Sequence, residues 1–194
     1  MSEEITVHEV EAQTIAAVRA RMRIAEVPQR FGPLLDKVWS VIRAGDAQKH
    51  RHNVFVYRVR DDSDEADVEI GVQVAPCFSG AHEVIGTNTP AGRVAHAVHY
   101  GEYHELPGVH QAIIGWCSEQ GLERAGVNWE VYDDWEEDAA KRRTDVFHLL
   151  TPESTRRADQ TSSWSCRLSS DHEVERPFVA KEDPRRVPGE TFFE

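Results

Sequence analysis

Ile15-Ala16-Ala17-Val18-Arg19-Ala20-Arg21-Met22-Arg23-Ile24, followed after Pro28 by Phe31, Leu34, Leu35, Val38, Trp39 and Ile42, is the stretch that decides the fold. Ala16, Val18, Ala20, Met22 and Ile24 alternate with Arg19, Arg21 and Arg23, which predicts a half-buried strand over 15–24. Beyond Pro28 the apolar residues recur at three- and four-residue spacings, the stripe of an amphipathic helix. Proline is tolerated in the first turn because the missing N–H has no partner there, and Gly45 is a suitable end. Two more strands are predicted at 53–59 and 68–74. The acidic run Asp61-Asp62-Ser63-Asp64-Glu65-Ala66-Asp67 between them reads as a solvated hairpin connection, lacking the glycine and terminal glutamate of a calcium loop.

The same order then returns. A strand is predicted at 93–100, a helix at 106–120 opened by Pro107 and carrying Val109, Ala112, Ile113, Trp116 and Cys117, and strands at 129–135 and 144–150. A short strand at 82–87 joins the halves. Two strand–helix–strand–strand modules imply an α+β fold: antiparallel sheets with one helix each and a cleft where the halves meet. Residues 1–151 form this domain. From 152 to 194 periodicity is lost and Ser, Thr, Arg, Glu and Pro dominate, so a polar, loosely ordered tail is expected, with Phe178, Phe192 and Phe193 able to dock on the body.

Composition narrows the function. The 194 residues carry a formal net charge of −12, which repels phosphate backbones, so direct nucleic-acid binding is not expected and cationic ligands are favoured. No apolar run is long enough to span a bilayer and no signal peptide opens the chain, so a cytoplasmic protein without membrane contact is expected. The three cysteines, Cys77, Cys117 and Cys166, lie far apart and form no CxxC pair, against a disulfide framework or zinc site. Neither Cys77 nor Cys117 has a recognisable nucleophile setting. Among the ten histidines, His96 and His99 fall on opposite strand faces, and His50 and His52 lack a third ligand, so no metal and no cofactor are expected.

Trp129-Glu130-Val131-Tyr132-Asp133-Asp134-Trp135 sets an acid among aromatics. Alternation puts Glu130, Tyr132 and Asp134 on one strand face. A buried carboxylate needs a partner: a tyrosine hydroxyl, water, an arginine such as Arg93 or Arg143, or a cationic ligand. Trp39 and Trp116, at helical spacing among apolar neighbours, read as core anchors.

With these halves laid out, the chain resembles the GyrI-like small-molecule-binding family, related to the effector-binding domains of AraC- and MerR-type multidrug regulators. The resemblance runs from about Val10 to Leu150. It is carried by Pro28 and Trp39, Asn53-Val54-Phe55-Val56-Tyr57, Thr89-Pro90-Ala91-Gly92-Arg93-Val94-Ala95, Tyr100-Gly101-Glu102-Tyr103, Glu130-Val131-Tyr132 and Thr144-Asp145-Val146-Phe147. It implies an aromatic cleft between two modules in which a glutamate, here Glu130, pairs with lipophilic cations beside Tyr132, so the leading expectation is a protein that binds or sequesters an amphipathic, cationic or polycyclic small molecule there. Tyr57, Tyr100 and Tyr103 are the wall residues it suggests. With no helix-turn-helix ahead of Val10, the chain resembles stand-alone members. Such relatives include binding proteins, hydrolases that open strained cyclopropane rings of DNA-alkylating natural products, and modulators of DNA gyrase. In a hydrolase Glu130 and Tyr132 would be catalytic, and as a modulator the protein would have gyrase as its partner.

Overall fold

The computed structural model describes residues 4–59 and 64–152, all within one compact unit, Met1–Thr155. The expected tail after Pro152 and the centre of the acidic connection lie outside the described residues.

Among the described residues, nine strands and two α-helices follow the predicted order, with additions at the edges. The strands are β1 (Ile5–Val10), β2 (Thr14–Arg23), β3 (Lys49–Val59), β4 (Glu65–Val74), β5 (Gly80–Ala81), β6 (Val84–Asn88), β7 (Gly92–Tyr100), β8 (Arg124–Tyr132) and β9 (Arg143–Leu150). The helices are α1 (Val27–Ala44), between β2 and β3, and α2 (Leu106–Glu119), between β7 and β8. The two modules are therefore β2-α1-β3-β4 and β7-α2-β8-β9. They do not keep separate sheets. All strands join one antiparallel sheet in the order β1-β7-β9-β8-β3-β4-β2-β6-β5, and the modules meet where β3 pairs with β8.

Each helix is set by local sequence. Pro28 and Pro107 occupy first turns, and α1 stops at Gly45, whose left-handed φ of 86° returns its N–H to the carbonyls of Val41 and Ile42. Val38 and Val41 of α1 pack on Ala16, Val18, Val72 and Val74, over β2 and β4. Leu106, Val109, Ile113 and Cys117 of α2 pack on Ala95, Ala97, Val146 and Leu150, over β7 and β9. Both helices cover the same sheet face, and neither sits on the central β3–β8 pair. A trough is left there.

The opposite face buries Ile15, Ala17, Val54, Val56, Val94 and Trp129 with no helix over it. Connection lengths explain this. In a flat sheet β1 and β2 would be six strand spacings apart, about 29 Å, and β6 and β7 equally far. Yet only residues 11–13 join β1 to β2, and 89–91 join β6 to β7, links that reach about 14 Å at full extension. The sheet must curl, and its inner face seals itself. Mutual hydrogen bonds close the two links: Gln13 N–H to Thr89 Oγ1 and Thr89 N–H to the Gln13 carbonyl, both 2.9 Å. Gly71 permits the tight fit, since a Cβ there would stand 2.8 Å from Ala17 Cβ.

Candidate ligand-binding site

The trough over β3 and β8 is a cavity of about 1060 Å³ walled by α1 on one side and α2 on the other. Its floor comes from the alternate residues of the central strands that face the helices. Phe55 and Tyr57 on β3 stand opposite Glu130 and Asn128 on β8, and Tyr132 stands opposite Asn53. Rings line one continuous side: Trp135–Tyr103 at 6.2 Å between centroids, Tyr103–Tyr132 at 5.4 Å, Tyr132–Phe55 at 4.9 Å and Phe55–Phe31 at 5.6 Å.

Glu130 lies in the middle, 4% exposed. Its Oε2 accepts hydrogen bonds from Tyr57 Oη at 2.7 Å and Tyr132 Oη at 2.6 Å, and its Oε1 meets His110 Nε2 at 3.0 Å. His110 Nδ1 in turn meets His148 Nε2 at 2.9 Å. Burial, then the charges of His110 and Arg124, push the His148 pKa down to about 3, so it is neutral. A consistent proton arrangement follows: His148 Nε2–H donates to His110 Nδ1, and His110 Nε2–H donates to Glu130. Burial and the adjacent carboxylate raise Tyr57 and Tyr132 well above the ordinary tyrosine value, which keeps both hydroxyls protonated as donors. Three donors thus converge on the carboxylate, and among the described residues no lysine or arginine pairs with it. Oε1, with one donor, retains acceptor capacity towards the cavity.

Arg142 orders the mouth. Its guanidinium lies 4.1 Å from the Trp135 ring centre, donates to the carbonyls of Glu136 and Glu137, and pairs with Glu102 at 2.7 Å. Trp135 is 66% exposed while lining the entrance.

Of the residues expected at the site, Glu130, Tyr132, Tyr57 and Tyr103 line the cavity. Tyr100 does not. It ends β7 with 60% exposure, opposite Arg143 in the register and on the face away from α2, because His99 takes the helix side. Asp134 is also misplaced by alternation: β8 ends at Tyr132, and Asp133 lines the cavity instead. Arg143 pairs with Asp145, not Glu130. His110 and His148 went unrecognised in the sequence. His110 is one position past the core residue Val109 on α2, and His148 fills an inward step of β9 between Val146 and Leu150. Among the described residues no group of three His, Cys, Asp or Glu side chains is arranged for a metal ion, and no helix is long and apolar enough to cross a membrane.

Paired β-α-β-β modules on one sheet, enclosing an aromatic cavity with a buried acid, define a small-molecule-binding domain. The chain matches the GyrI-like small molecule binding domain over residues 3–148, and it belongs to that family. Solved structures that share the fold include the following three. The EcmrR C-terminal domain aligns with a TM-score of 0.65 at 16% identity, over 78% of this chain and 99% of that one. A putative bacterial transcription regulation protein from Staphylococcus aureus MU50 aligns with a TM-score of 0.57 at 9% identity, over 77% and 99%. SAV2435, solved bound to tetraphenylphosphonium, aligns with a TM-score of 0.56 at 10% identity, over 76% and 94%. No curated protein matches the chain.

Proposed function

We propose that this protein binds amphipathic aromatic cations in the cavity, with Glu130 as the counter-charge and Tyr57, Tyr103, Tyr132 and Trp135 supplying ring faces. The observation that carries this reading is a buried carboxylate held by two tyrosine hydroxyls and one imidazole, with no lysine or arginine against it among the described residues, inside an aromatic hollow of about 1060 Å³. Hydrogen bonds from the two tyrosine hydroxyls steady the carboxylate without cancelling its charge, which leaves it able to attract a cation. Ring faces add roughly 0.5–2 kcal/mol each towards a cation that has shed its water. The complex of SAV2435 with tetraphenylphosphonium supports the same choice of ligand class.

Two probes of nearly identical shape and opposite charge test it: tetraphenylphosphonium and tetraphenylborate, titrated against tryptophan fluorescence. The cation should bind and the anion should not. Equal affinity for both would refute a charge-selective site.

A second reading has one observation of its own, the Glu130–His110–His148 line. A carboxylate backed by two imidazoles can take a proton from water as the water oxygen bonds to a cyclopropane carbon and the strained C–C bond breaks, its electron pair passing into the conjugated acceptor of the alkylator, with Tyr132 steadying the acid, which is more than cation binding requires. Incubation with a cyclopropane-bearing alkylator should then give the water adduct at many turnovers per protein by mass spectrometry. Unchanged alkylator would exclude it.

A further inference from the structure

We propose that the natural ligand is an elongated zwitterionic amphiphile, and that Arg124 receives an acidic group at the end of the molecule opposite its aromatic cation. This rests on the cation-binding reading above and adds a second recognition point to it.

The cavity has two unlike ends. Tyr103 stands against Tyr132, and His110 against Glu130, so α2 runs antiparallel to β8 along the trough. The end beneath Trp135 is aromatic. The other, beyond His110, is lined by Ile24, Val59 and Ile114, with Gln111, Asn128 and Arg124 as its polar groups. Arg124 is the one lysine or arginine among the lining residues. Arg19, Arg23, Arg58, Arg142 and Arg143 all sit against carboxylates. The Arg124 side chain, like those of Arg43 and Arg51, makes no hydrogen bond or ion pair with any described residue, although the protein carries an excess of acids, and of these three it alone lines the cavity. The residue is exposed, and its charge acts on His148 at the cavity floor.

An unpaired guanidinium at one end of a trough for cations opposes a simple monocation. It becomes favourable when the ligand brings an acid to that end, because a planar guanidinium accommodates a carboxylate with two parallel hydrogen bonds. The two charges need a spacer. Glu130 lies six residue steps along β8 from Arg124, roughly 20 Å along a strand, shortened by the irregular register between Arg124 and Asn128. The aliphatic lining between them suits a hydrocarbon chain.

The test uses triphenylphosphonium carrying an undecanoic acid chain, and the methyl ester of the same compound. The wild-type protein should bind the acid at least fivefold more tightly than the ester. Arg124→Gln should bring the acid down to the level of the ester, Arg124→Lys should keep part of the preference, and Glu130→Gln should weaken both probes. Equal binding of acid and ester by the wild type, or a preference that survives Arg124→Gln, overturns the inference while tetraphenylphosphonium binding keeps the underlying reading intact. If no phosphonium binds, both fall together.

Discussion

Replacing Glu130 by glutamine removes one charge and little volume, so it separates electrostatics from shape. In tetraphenylphosphonium four rings surround the phosphorus and hold it about 6 Å from the nearest carboxylate oxygen. At an effective dielectric of about 20 that attraction is about 2.8 kcal/mol. The glutamine amide keeps a dipole that recovers part of it, so a loss of about 2 kcal/mol is expected, roughly thirtyfold in Kd. The apoprotein should tolerate the change. The amide oxygen still accepts from Tyr57 and Tyr132, and its NH2 can donate to His110 Nε2 once His110 carries its proton on Nδ1 and donates to His148. Relief from burying a charge offsets the weaker hydrogen bonds. Calorimetric titration with tetraphenylphosphonium, alongside thermal melting of the free protein, reads both quantities. A change in Kd below threefold, with the melting temperature held, would refute a charge-based site.

Other outcomes are expected. His148 has its pKa depressed from 6.5 to about 3, so its contribution to stability is whole above pH 6.5 and drains away as pH falls towards 3, by up to a few kcal/mol. The melting temperature should therefore drop between pH 7 and pH 4, and His148→Gln should flatten that slope; an unaltered slope counts against it. Arg142→Gln removes the contacts that hold Trp135, so Trp135 should become more accessible to acrylamide quenching and ligand dissociation should quicken, while a Trp135 signal and off-rate like the wild type's would contradict the role given to Arg142. Gly71→Ala puts a methyl against Ala17 inside the curled face and should cost about 2–3 kcal/mol in urea unfolding, an effect absent if the strands can part at that point.

The module order was legible because each element carries its own period: two in β2 and β9, three to four in α1 and α2. Glu130, Tyr132 and Tyr57 were legible for the same reason, as strand residues with unusual chemistry on an inward step. β1 was not. Ile5-Thr6-Val7-His8-Glu9-Val10 is a half-exposed edge strand with two polar residues in succession, and its pairing with β7 is a long-range fact. The fusion of both modules into one sheet was also hidden, because it depends on β3 meeting β8 across more than seventy residues. His110 and His148 show a further limit. Their identity was visible, but only the approach of α2 to β9 makes them neighbours of Glu130. Tyr100 failed for the converse reason: its sequence neighbour Tyr103 lines the cavity, but the pleat turns Tyr100 away.

The curl of the sheet bears on how guests of different shape are accommodated. Stitched by two three-residue links and the paired Gln13–Thr89 hydrogen bonds, the halves cannot swing like the jaws of a hinged receptor. Plasticity is left to the helices riding above the central strands and to the indole at the entrance. Selectivity should accordingly be sharp for whatever touches the floor and forgiving for whatever faces the roof.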